Sequence, residues 1–344
     1  MAYRIKELTE QDCEAWDRFV EAAPTATFFH RSGWGRLLAD SFGHRPCYRY
    51  VERDGEIAGI LPLVHVESRL FGNRLASLPF CVAGFPVSDD PDVEDLLDRE
   101  AIRLMGELGA RYVEYRDTGR ARRGWAEQSG LYASFAREME AEEDRRLSTI
   151  PRKQRAVLRK ALAAPDLTWT IDSDTEDLYA LYALSVRNLG TPVFHRRYFR
   201  ALVEEFGDSC EVLTVRLHDA PVSSVLSFYF RDRVMPYYTG SRPEARGVGA
   251  NDLMYWLVMG RAVERGCSQF DFGRSKIGTG PWHFKKNWGF EPRAVTHQYW
   301  LRDGQDIPQV NPTNPRYRAF VKLWRHLPLP VANALGPYVV RGSG

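Results

Sequence analysis

The chain repeats itself, and the repeat constrains the fold more than any single motif. In the first half, Phe42-Gly43 precedes a strand-like run from Cys47 to Glu52, a turn at Asp54-Gly55 and a second strand from Ile57 to Val66. A loop with Pro79, Gly84 and Pro86 leads to a helix-like stretch from Val93 to Leu108, ended by Gly109 and followed by a strand from Arg111 to Tyr115. In the second half, Phe206-Gly207 precedes a strand from Glu211 to Leu217, a turn at Asp219-Ala220-Pro221 and a strand from Val222 to Phe230. A third strand, Val234 to Thr239, runs into a glycine-containing loop and a helix from Asp252 to Arg265. Gly266 ends that helix and a strand from Gln269 to Phe272 follows. Asp54 and Asp219 stand 165 positions apart, Gly109 and Gly266 157 apart. One duplicated unit, an antiparallel meander followed by a helix and a further strand, accounts for both offsets. The expected class is mixed α/β.

The 344 residues suit two domains, and 44% hydrophobic with 27% charged content is that of a chain able to bury large cores. The expected division is 1–135 for the first lobe, 136–165 for a basic helical connector, 166–305 for the second lobe and 306–344 for a C-terminal tail. A net charge of +2 implies no global attraction to nucleic acid or membrane, so electrostatic binding has to be local. No apolar run reaches the length of a membrane span and the first residues lack a signal-type stretch, so a cytoplasmic protein with at most peripheral membrane association is expected. The five cysteines are scattered without a CxxC pair, which gives no reason to expect a disulfide framework or a metal.

Three stretches carry candidate chemistry. From Phe270 to Phe290 the chain reads FDFGRSKIGTGPWHFKKNWGF: a short strand, a glycine-rich loop with Arg274 and Lys276, then aromatics around Lys285 and Lys286. Such a cationic loop can hold an anionic substrate or a developing oxyanion, or it can be an aromatic core corner with solvated lysines. Asp271, flanked by two aromatics, is expected to pair with Lys285 or Arg274, or to act as a general base. Arg274 and Lys276 suit acceptor phosphates or carboxylates. Tyr237 and Tyr238 offer a hydroxyl, although on a strand one of the two has to face the core. The second stretch, Arg246-Gly247-Val248-Gly249-Ala250-Asn251, brings two glycines to a helix start, where free N–H groups favour a phosphate. The third, Arg145 to Lys160, holds seven Lys and Arg and no acidic residue. Arg152, Arg155 and Arg159 recur at helical spacing, so the block reads as a polyanion-binding face or as a surface helix balanced by the acidic run Glu138 to Asp144.

An Arg-Gly-x-Gly loop between a meander and a helix is similar to the pyrophosphate loop of GNAT-type N-acyltransferases, although Asn251 stands where a small residue is usual. Two tandem GNAT-like lobes resemble the Fem aminoacyltransferase family. The resemblance rests on Pro151 to Arg155 with Arg159-Lys160-Ala161, on FDFG from Phe270, and on FKKNWGF from Phe284, and it covers roughly Phe28 to Trp300. The combination looks most like the Fem-like proteins encoded with exosortase and PEP-CTERM exopolysaccharide systems. It implies transfer of an aminoacyl or acyl group to an amine on a nucleotide- or lipid-linked glycan precursor. Acyl-CoA or aminoacyl-tRNA serves as co-substrate, with no tightly bound cofactor and no DNA partner.

Carried over by position, Lys285 matches the lysine that acts on the reacting acyl centre, with Asp271 and Tyr238 beside it. Arg246, Gly247, Gly249 and Asn251 hold the donor; Arg274, Lys276, Arg152, Arg155 and Arg187 face the acceptor. Phe28 to Trp34 matches the aromatic opening of Fem-like proteins, with His30 and Trp34 as further substrate contacts or, for His30, a structural hydrogen-bonder. The first lobe lacks counterparts of the glycine loop and of FKKNWG, and is expected to recognise the acceptor. A non-catalytic module binding an anionic glycan or nucleotide is the alternative from another class.

Overall fold

The computed structural model describes residues 3–68, 71–308 and 315–343, with the side chains of 315–318 left aside. The chain divides into two units: 1–131 with 295–308 and 341–344, and 132–294 with 309–340.

In the first unit the expected strand from Ile57 to Val66 is cut by Pro62, which has no N–H for a ladder. The piece Glu56–Leu61 joins Arg4–Glu7 and Arg49–Arg53 in a three-stranded antiparallel sheet. The piece Leu63–Ser68 joins a six-stranded sheet ordered Arg45–Pro46, Leu63–Ser68, Gly72–Ser77, Tyr112–Arg116, His297–Leu301, Ala126–Gln128. The helix Pro91–Glu107 starts on Asp90, whose carboxylate accepts from the Asp92 N–H at 3.0 Å, with Pro91 in the first turn. It buries Leu97, Ala101 and Leu104 in the same core as Leu75, Val113 and Tyr115. Gly109 follows at φ 62°.

The second unit is one seven-stranded sheet in the order Leu167–Asp172, Cys210–Leu217, Ala220–Phe230, Arg233–Ser241, Gln269–Lys276, Tyr132–Glu138, Arg293–Ala294. The helix Ala250–Glu264 packs on it through Leu253, Met254 and Val258, sharing a core with Val215, Val225, Phe270 and Phe272. The helix Glu176–Leu189 lies against Arg233–Ser241 so closely that a Cβ on Gly240 would stand 2.2 Å from the Tyr182 nitrogen. The last two helices, Pro315–Arg325 and Leu329–Val340, pack on Glu176–Leu189.

The repeat is present in both units. Gly72–Ser77, then Pro91–Glu107, then Tyr112–Arg116 matches Arg233–Ser241, then Ala250–Glu264, then Gln269–Lys276; in each the two strands pair in parallel. The division differs from the sequence expectation in two places. Residues 136–138 belong to a strand of the second sheet rather than to a helical connector, because Tyr132–Glu138 pairs with Gln269–Lys276. The rest of the stretch forms helices Glu143–Ser148 and Arg152–Leu162, the latter anchored by Leu158 and Ala161 in the second core. Residues 297–301 pair with Tyr112–Arg116 and so belong to the first unit.

Candidate functional site

Two parallel strands of the second unit, Arg233–Ser241 and Gln269–Lys276, pair only at Arg233↔Gln269 and Val234↔Phe270. Beyond those pairs the ladder ends, although each strand continues to pair with its outer neighbour, Ala220–Phe230 on one side and Tyr132–Glu138 on the other. Edges that face one another across a parted ladder carry N–H and C=O groups that an extended ligand can meet. The parting lies at the carboxyl ends of two parallel strands, where open α/β sheets bind their ligands. Tyr255, from Ala250–Glu264, joins the two strands below it. Its hydroxyl donates to Thr239 Oγ1 at 3.3 Å and its ring meets Phe272 edge-on at 4.8 Å.

The first unit parts at the matching place, after Leu75↔Val113 and Ala76↔Glu114, but its own chain closes the opening. Gly84 and Arg116 exchange both backbone hydrogen bonds at 3.0 and 2.7 Å, and Ser77 Oγ donates to the Gly84 carbonyl. The Arg116 guanidinium lies 2.9 Å from Glu114 and also donates to the Leu78 and Cys81 carbonyls. Burial would raise the Glu114 pKa, yet the adjacent Arg116, with His297 and Arg74 behind it, outweighs burial and holds it at about 2.

Glu114 and Asp271 occupy matching positions of the repeat, and the second unit uses its carboxylate differently. Asp271 accepts from the Gly273 N–H at 2.8 Å and pairs with Arg233 at 3.3 Å, not with Arg274 or Lys285. Burial raises its pKa, opposed by the Gly273 N–H, Arg233 and Lys285. The strand bulges between Asp271 and Arg274, with Gly273 at φ 65°. Lys285 reaches this bulge from the helix Gly280–Asn287. Its ammonium donates to the carbonyls of Phe272, Gly273 and Arg274 at 2.6, 3.1 and 3.2 Å. Burial pushes its pKa down to about 7, with Asp271 pulling the other way.

Several expected site residues are occupied elsewhere. Lys285, expected to face an oxyanion, spends its three N–H groups on the bulge. Tyr238 is buried among Tyr182, Phe194, Tyr198 and Phe199, with its hydroxyl 2.9 Å from that of Tyr198; burial raises its pKa far above the ordinary range. His30 is fully buried in the first unit, its ring nitrogens engaged by Thr27 and the Phe85 carbonyl. Trp34 is buried too and donates to the Phe28 carbonyl at 3.2 Å. Arg187 donates to the Arg325 carbonyl, which ties it to the terminal helices.

The helix start expected to hold phosphate is filled from within the chain. Gly249, at φ 71°, packs against Val157 and Ala161 of Arg152–Leu162, and a Cβ there would come within 3.2 Å of both. Asp252, in the first turn, accepts from Trp288 Nε1 at 2.8 Å and from Gln154. Asn251 accepts from Ser223 Oγ at 2.7 Å. Arg246 and Gly247 are exposed on the short helix Glu244–Val248. Gly249 therefore serves close helix packing, and the helix dipole already meets a carboxylate.

The cations stay on the surface. Arg152, Lys153, Arg159 and Lys160 are exposed, while Arg155 is half-buried and donates to the Ser148 carbonyl. Arg274 lies over the Tyr132 ring at 4.8 Å, and Lys276 is half-buried. Sequence reasoning missed Tyr255, Thr239, Asp252 and Trp288. Of these, Tyr255 carried a signal: it falls one helical turn after Asn251, on a helix that follows the strand bearing Thr239. Among the described residues no cluster of His, Cys, Asp and Glu is placed to hold a metal, and no helix is long and apolar enough to cross a membrane.

Two units, each with antiparallel strands, a helix and a parting parallel strand pair, give a mixed α/β fold that resembles tandem GNAT lobes, and the comparisons agree. Residues 148–286 match the family described as acetyltransferase (GNAT) domain. FemX is similar in structure, with a TM-score of 0.69 and 17% identity over 87% of this chain and 98% of that one. So is a tandem GNAT protein of the clavulanic acid biosynthesis pathway, with a TM-score of 0.55 and 13% identity over 89% of this chain and all of that one. The C-terminal domain of a putative lysylphosphatidylglycerol synthetase from Agrobacterium fabrum gives 0.52 and 14%, over 83% and 91%. No curated protein matches the chain.

Proposed function

We propose that this protein is an acyltransferase whose reaction takes place in the parted ladder of the second unit. There an acceptor amine attacks the activated carbonyl of an aminoacyl donor. The new amide C–N bond forms as the ester C–O bond breaks, and the leaving hydroxyl takes up the amine's proton. The observation that carries this reading is the contrast between the two partings: the first is closed by Gly84, Glu114 and Arg116, while the strand edges around Thr239 and Gly273 face each other without such a bridge among the described residues. A Cβ on Gly273 would meet nothing within 4 Å, which leaves space for a carbonyl at the bulge.

Of the two donors, aminoacyl-tRNA has more support than acyl-CoA. The helix start that would take a pyrophosphate is occupied by Asp252, Gln154 and Trp288, whereas the exposed Arg152, Lys153, Arg159 and Lys160 suit a phosphate backbone. The likeness to FemX supports the same donor. The exosortase and PEP-CTERM connection draws no support from the similar structures named above, and the acceptor is proposed by chemistry alone: an amine on a nucleotide- or lipid-linked precursor. Lys285 acts as a positioning residue that fixes the bulge. The test is transfer of a labelled amino acid from charged tRNA to amine-bearing glycan precursors, run beside labelled acetyl-CoA. Label moving from tRNA supports the reading; label moving only from acetyl-CoA reverses the donor, and no transfer from either favours the non-catalytic binding module.

A further inference from the structure

The exposed large apolar side chains are unevenly spread. Leu189, Leu323, Val331, Leu335 and Tyr338 all lie on three helices that pack together in the second unit, with Leu323 66% and Tyr338 82% exposed. The helix Leu329–Val340 buries Ala332, Gly336 and Val340, and Gly336 sits so close to Val193 that a Cβ would stand 2.8 Å from its backbone. That face is already used. On the other side Val331, Ala334, Leu335 and Tyr338 follow helical spacing and are all exposed. The helix contains no Asp, Glu, Lys or Arg.

The charge around it has one sign. From Ile307 to the last residue the sequence holds five Lys and Arg and no Asp or Glu, in a chain whose net charge is +2. Lys322 and Arg325 are exposed before the apolar helix and Arg341 is exposed after it. The helix Pro315–Arg325 is tied to Glu176–Leu189, since Arg187 donates to the Arg325 carbonyl and Arg325 to the Leu189 carbonyl.

We propose that the helix Leu329–Val340 is an interfacial anchor that lays its Val331–Leu335–Tyr338 stripe on an anionic lipid bilayer. Twelve residues span about 18 Å, too short for the ~30 Å hydrocarbon core, but suited to lying in the plane at the headgroup boundary. The cations at both ends stay with the headgroups while the stripe enters the acyl region. A second copy is the poorer occupant, because pairing the stripes would bring two all-positive segments together. The inference is independent of the acyl-transfer reading.

Co-sedimentation of the full chain with vesicles of phosphatidylglycerol and phosphatidylcholine, against phosphatidylcholine alone, tests it. Wild type should sediment with the anionic vesicles and bind neutral ones at least about tenfold more weakly. The double variant Leu335→Glu, Tyr338→Glu should lose at least about tenfold in binding while keeping its circular dichroism spectrum. Lys322→Glu should weaken binding to the anionic vesicles only. Absence of wild-type binding, or a double variant that binds as well as wild type, overturns the proposal. So does a concentration-dependent dimer that the double variant breaks up without any vesicle binding, which would make a second copy the occupant.

Discussion

A lysine ammonium has three N–H groups, and Lys285 commits all of them to the carbonyls of Phe272, Gly273 and Arg274. Its neighbours in sequence announced a cation near aromatics, but not this saturation, which depends on a bulge where 269–276 pairs with the distant strand 132–138. Lys285→Met should preserve volume yet release the bulge, lowering the transfer rate by about a hundredfold with little change in donor KM. Steady-state kinetics with charged tRNA checks this. The pH dependence has a definite sign. With a folded pKa of about 7, below that of the unfolded chain, the native state binds fewer protons between about 7 and the ordinary lysine range. Wild-type stability relative to Lys285→Met therefore rises with pH across that window, and chemical denaturation at both ends of it should show the trend. A difference that stays constant with pH would mean that Lys285 is not the buried group described.

At the scale of elements, the sequence made local features legible and left long-range ones hidden. The turn residues Asp54 and Asp219 and the helix-ending Gly109 and Gly266 do adopt positive φ, because each is specified by its immediate neighbours. The strand pairing of 132–138 with 269–276, and of 297–301 with 112–116, was not readable, since neither partner's pattern names the other. The glycine-rich helix entry is ambiguous in sequence, because glycine serves close packing and ligand approach alike; at Gly249 the close neighbours are Val157 and Ala161. Gly240 makes the same point, and Gly240→Ala should cost at least about 1–3 kcal/mol, or prevent folding, because its Cβ would meet the backbone of Leu181 and Tyr182. Equilibrium unfolding measures it. On the helix Arg152–Leu162, the pair Arg152→Glu and Arg159→Glu should weaken tRNA binding and make the log–log salt slope shallower by about 1.4–1.8 if each contacts one phosphate. Titrations at several salt concentrations would reveal an unchanged slope if the face is only a solvated surface.

For the whole molecule, the repeated strand pair parts in both units and ends differently in each. The first seals its parting with a buried ion pair; the second keeps its strand edges apart over Tyr255. Glu114→Gln should destabilise the protein by about 3–5 kcal/mol, because Arg116 would be left buried without its counter-charge. Below its lowered melting temperature that variant should transfer at the wild-type rate, as Glu114 belongs to the unit without the proposed site. Thermal melting and a rate assay on the same sample separate the two effects. The most direct test fills the second parting itself. Thr239→Phe puts a ring at the parting beside Tyr255, and single-turnover transfer from charged tRNA should fall at least about a hundredfold while tRNA affinity and secondary structure are retained. Wild-type transfer by Thr239→Phe would contradict the placement of the reaction between these strands.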